Sequence, residues 1–183
     1  MRKIILLTAL FLVMTDEFFA QQSRREVISP ANPPEDSKLN SESVPPIYTI
    51  TAKFDSIVVC RLKFKIDLLE GLKQAVKEKK IMNAVILAGT GSVRSYQYHA
   101  ISNDTFPTKN IFVKDNSYPA DIVSMNGYVI NGRVHAHVTF SDADKAFGGH
   151  LEPGTEVFTF AIITLGVLNK ETSIDRIDDK NYR

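Results

Sequence analysis

From Ile47 to Leu168 the apolar residues fall into short β-branched or aromatic runs separated by turn residues, and only one segment carries helical spacing. Ile47 to Phe54 and Ile57 to Phe64 read as two adjacent strands with a turn at Asp55 and Ser56. Asp67 then stands where a helix N-cap belongs. Leu68, Leu69, Leu72 and Val76 behind it form one apolar stripe through about Lys80. Asn83 to Ala88 and Val93 to Ala100 read as strands flanking a tight turn at GTGS, with Arg94, Tyr96 and Tyr98 on one face of the second. These tyrosines suit a pocket wall or, better, packing against a neighbouring subunit.

Asp121 to Ile130 and Arg133 to Phe140 form a further pair, and the Asn131-Gly132 dipeptide between them is a strong hairpin signal. A loop, SDADKAFGGH, follows. Thr155 to Val167 is then a long, nearly continuous apolar strand expected to run through the middle of the sheet. One helix on about seven mostly antiparallel strands makes an α+β domain.

The flanks differ in composition. Arg2 and Lys3 precede an apolar run from Ile4 to Met14, too short to span a bilayer as a helix, so residues 1–20 read as an export signal. Phe18 is an imperfect fit to a cleavage site after Ala20. An extracytoplasmic location, periplasmic or secreted, follows as an expectation. Residues 21–46 hold five of the eight prolines and read as a disordered linker; the domain itself spans 47–169, and 170–183 form a polar tail.

Composition narrows the function classes. Twenty-two basic and 21 acidic residues leave a formal charge of +1, so no global field draws the chain onto nucleic acid. The single cysteine, Cys60, lies in the apolar run IVVC and reads as a small buried hydrophobe. No Walker lysine accompanies Gly89 and Gly91, and Arg94 stands where a dinucleotide fingerprint needs its third glycine.

The chemistry concentrates in GRVHAHVTFSDADKAFGGHL, which contains three of the four histidines: His135, His137 and His150. On a strand His135 and His137 point away from the face that carries Val134, Ala136, Val138 and Phe140, and so leave the core. Three imidazoles in such a stretch can converge on one divalent metal. Hydrogen bonding at a subunit interface, or plain exposure, are the other readings. Three neutral imidazoles and a water would leave zinc an open position of the catalytic kind. Hydrolysis would further need a proton shuttle. The nearby carboxylates, Asp142, Asp144 and Glu152, read first as loop and turn residues. His99 lies outside the cluster in sequence and could join it only if its strand lay beside the hairpin.

Three segments, CRLKFKIDLLEGLKQAV, ILAGTGSVRSYQY and NGRVHAHVTFSDADKAFGGHL, together resemble the PPC domain, the "plants and prokaryotes conserved" domain, over about Tyr48 to Gly166. The resemblance implies a sandwich-like α/β domain that assembles as a homotrimer. It also implies a metal held by the His-x-His strand and the Gly-Gly-His segment, here His135, His137 and His150; Zn2+ is the ion expected from the three imidazoles. Plant members are nuclear DNA-binding proteins with AT-hook segments, and this chain has no Arg-Gly-Arg-Pro core. The expected function is therefore an exported, trimeric, metal-binding module of unknown ligand. A zinc-dependent hydrolase or lyase acting on a small molecule, and a DNA-binding protein, stand as alternatives; no catalytic residue is assigned.

Overall fold

A computed structural model describes residues 24–31, 34, 37 and 42–177 of the 183. The expected export segment, 1–20, lies outside these residues. The elements whose bounds lie within the described residues are, in chain order, β1 (Arg24–Ile28), β2 (Phe54–Lys63), α1 (Leu68–Glu78), β3 (Ala84–Val93), β4 (Tyr96–Ile101), β5 (Asn110–Asp115), β6 (Ala120–Ile130), β7 (Arg133–Ser141), β8 (Ala146–Leu151) and β9 (Val157–Leu168). They form a single antiparallel sheet in the order β1-β5-β4-β8-β7-β6-β3-β9-β2. This is an α+β arrangement, with more strands than the sequence pattern suggests.

The helix begins as expected. Asp67 caps it by accepting the Glu70 N–H on Oδ1 at 2.9 Å, and its Oδ2 accepts the Gly154 N–H at 2.6 Å. One carboxylate thus satisfies a helix end and ties it to the turn before β9. Leu68, Leu69, Leu72 and Val76 are buried and share a core with Ile86, Met125, Val138, Phe140, Ile163 and Leu165 from one side of the sheet. The β6–β7 hairpin also forms as expected, with Asn131 and Gly132 both at positive φ (51° and 76°), the primed geometry that matches strand twist.

Several expectations are corrected. Ile47 to Lys53 make no strand: β9 ends at Leu168 opposite Phe54, so the earlier residues have no ladder to join, and Asp55 is absorbed as a bulge in β2 rather than a turn. GTGS is not a turn either, because β3 runs straight through it and the chain bends only at Arg94 and Ser95, on its way into β4. Its glycines serve close packing, since a Cβ on Gly91 would sit 2.1 Å from the Phe160 carbonyl oxygen on β9. Tyr96 and Tyr98 belong to the hydrophobic core. They are buried against Phe140 and Phe147 of the same chain, with ring centroids 4.9 to 6.5 Å apart. Burial, reinforced by Asp115, pushes the Tyr96 hydroxyl up to about 12, so it stays neutral.

Both flanks contribute to the fold. Arg24–Ile28, inside the expected linker, pairs with β5 from Arg24 opposite Lys114 to Ile28 opposite Asn110. The five residues are exposed, so ladder hydrogen bonds along an otherwise open sheet edge hold them, not burial. At the other end Ile174 packs onto Ile130 and Leu168, and Asn131 donates to Asp175 at 2.9 Å. The first part of the polar tail is therefore docked on the hairpin. β9 lies between β3 and β2, one strand in from the edge. Cys60 is buried and its thiol pushed up by that burial, as its apolar run implied.

Candidate metal centre

Three strands side by side build the site. β7 carries His135 and His137, and their alternation with buried Ala136, Val138 and Phe140 puts both imidazoles on the face opposite the helix. His150 comes from β8. SDADKAFGGH is not one loop: only Asp142 to Lys145 turn, and AFGGHL pairs back onto β7 with His150 directly opposite His137. The Gly-Gly pair lies within that strand. Gly148 holds φ at 153°, and a Cβ there would lie 2.0 Å from the Val138 carbonyl oxygen. Only glycine lets β8 press against β7 at this point.

The imidazoles converge. His135 Nε2 and His137 Nε2 are 3.3 Å apart, with rings stacked at 18° and centroids 5.3 Å apart. The His150 ring stands edge-on to both, at 4.7 Å from His135 and 5.2 Å from His137. One ligand atom from each of the three lies within 4.8 Å of the others. Zinc–imidazole bonds of ~2.0–2.1 Å at a tetrahedral angle separate two ligand nitrogens by ~3.3–3.4 Å, so the His135–His137 spacing fits a shared ion. Desolvation, with His135 and His99 as neighbours, lowers the His137 pKa, which favours the neutral imidazole that a metal needs.

The fourth histidine belongs here too. β4 pairs with β8 and sets His99 opposite His150, with ring centroids 4.6 Å apart. His99 Nδ1–H donates to Glu152 Oε1 at 2.6 Å, the carboxylate being able only to accept. Glu152 is thus no solvated turn residue: its side chain is 22% exposed and engaged. His99 was out of reach of local sequence reading because its cross-strand partner lies 51 positions further along the chain. Its only local signal is a place among alternating strand residues opposite the buried Tyr98. Asp142 behaves as a loop residue, accepting the Asp144 and Lys145 N–H groups at 2.8 and 2.9 Å, which holds its carboxyl low. Asp144 belongs to the same turn and joins no histidine group.

An antiparallel sheet with one helix and a histidine cluster on its outer face defines an α+β domain with a candidate metal centre. The chain belongs to the Plants and Prokaryotes Conserved (PCC) domain family, whose profile matches residues 50–169. Solved structures share the fold. A plant- and prokaryote-conserved (PPC) protein from Pyrococcus horikoshii superposes with a TM-score of 0.58 at 22% identity, covering 74% of this chain and 94% of that one. A protein from Archaeoglobus fulgidus described as metal-containing gives 0.53 at 23% identity over 67% and 86%. One from Bacteroides thetaiotaomicron, described as a candidate DNA-binding protein, gives 0.52 at 16% over 67% and 86%. At these identities the likeness speaks for the fold alone. No curated protein matches the chain. No helix among the described residues is long and apolar enough to cross a membrane.

Proposed function

We propose that this chain is a divalent-cation-binding module, with Zn2+ the expected ion, held by His135, His137 and His150. The observation that carries this reading is the 3.3 Å separation of the His135 and His137 Nε2 atoms, with His150 closing the third side. A relative described as metal-containing adds to it. Three imidazoles leave a coordination position for water or a ligand atom, and a bound cation would acidify that water. The chain's own part is to hold three neutral imidazoles at fixed separation on rigid strands.

Assembly as a homotrimer outside the cytoplasm completes the proposal. Its support is the outer sheet face that also carries the histidines, where Ile57, Val59, Leu87, Tyr128 and Phe160 are exposed across β2, β3, β6 and β9. Tyr128 is the cross-strand partner of His135, so this apolar surface runs directly into the metal centre. Covering it in an oligomer would remove large apolar groups from water.

Metal analysis of the purified full chain tests the reading. Zinc is expected in the wild type and less of it in His137→Ala and His150→Ala. Wild-type protein that takes up no zinc after dialysis against it overturns the proposal.

A further inference from the structure

We propose that the same sheet face holds a second divalent cation, bound by His99, Glu152 and His150. The inference rests on the reading above only in sharing His150.

Strand order places His99, His150 and His137 in one row across β4, β8 and β7, with His150 in the middle. An imidazole carries two ring nitrogens on opposite sides, so His150 can serve a cation on each flank by giving up its ring proton. On the β7 flank stand His135 and His137. On the β4 flank stand His99 and Glu152, and here too one ligand atom from each of the three residues lies within 4.8 Å of the others.

Glu152 is held for the task by its backbone. Its N–H donates to the Gln97 carbonyl on β4 at 3.0 Å, and its own carbonyl accepts from Thr155 Oγ1 at 3.2 Å. Its ion-pair partner among the described residues is His99. The two side chains are 21% and 22% exposed, and the His99 ring packs 5.0 Å from that of Phe112. The carboxylate faces imidazoles rather than a lysine or arginine, so a cation entering here meets an oxygen and a nitrogen donor already held together.

The donor set also states the chemistry. Two imidazoles and one carboxylate form a mixed nitrogen–oxygen site that suits zinc, iron(II) or manganese(II), harder than the all-imidazole site beside it.

Chelator-stripped full-length protein dialysed against Zn2+ reads the stoichiometry. Two zinc ions per chain are expected in the wild type and one in both His99→Ala and Glu152→Gln. The glutamine keeps a hydrogen-bonding amide for His99 and removes the charge. His135→Ala should retain one and His150→Ala neither, with an unchanged urea midpoint reporting that each variant folds. One zinc in the wild type, kept by His99→Ala and Glu152→Gln, overturns the second site and leaves the first standing. Loss of all zinc in His99→Ala means one shared ion and also overturns it. No zinc in the wild type overturns both.

Discussion

His137 on β7 faces His150 on β8 across one rung of the sheet, and on the next strand His150 faces His99. The first pair lie 13 positions apart along the chain, yet the strands make them neighbours. The centre is therefore a property of strand pairing, and anything that loosens β8 should empty it.

Gly148→Ala tests that dependence. A methyl group 2.0 Å from the Val138 carbonyl, at a φ that side chains rarely adopt, forces β8 away from β7. The expected cost is about 2–4 kcal/mol in urea unfolding, with zinc uptake lost in parallel. Full stability with full zinc content would contradict this picture of the strand contact.

Asp67→Ala removes two backbone bonds at once, the helix cap to Glu70 and the tie to Gly154. A loss of about 1–2 kcal/mol is expected, with the zinc at His135, His137 and His150 retained because these residues lie on β7 and β8 and not in the turn that Asp67 holds. Asp67→Asn should recover part of the loss, since an amide oxygen still caps.

Stability of the metal-free protein should fall with acid. His137 has its pKa lowered from 6.5 in the folded chain by desolvation and by His135 and His99. Above about pH 7 it is neutral folded or unfolded and contributes nothing. As pH falls through 6.5 the unfolded chain takes the proton first, so the folded state loses ground until its own lower pKa is passed. Urea midpoints between about pH 7 and pH 5 should decline less steeply in His137→Gln. An identical slope would remove His137 as the cause.

Val59→Asp and Leu87→Asp place charges on the exposed apolar face without touching the core. Light scattering should then give the mass of one chain, against three for the wild type. A wild-type mass of one chain would contradict the proposed assembly outright.

Alternation and turn chemistry carried much of the fold. The Asp67 cap, the α1 stripe, the Asn131-Gly132 hairpin and the outward direction of His135 and His137 were all local, because each follows from the neighbours of a residue along the chain. What local pattern misread was glycine. Gly91 and Gly148 look like turn residues, yet both lie inside strands where another backbone approaches. β1 was hidden for a related reason: an exposed strand held by its ladder has no hydrophobic signature.

The sequence by itself determined that three histidines lie close together and that two of them point away from the core. Only the tertiary structure decided that His150 stands opposite His137 and that His99 and Glu152 close the other flank. Periodicity is set by successive Cβ directions along one strand. The partner of a strand is chosen by the packing of the whole sheet.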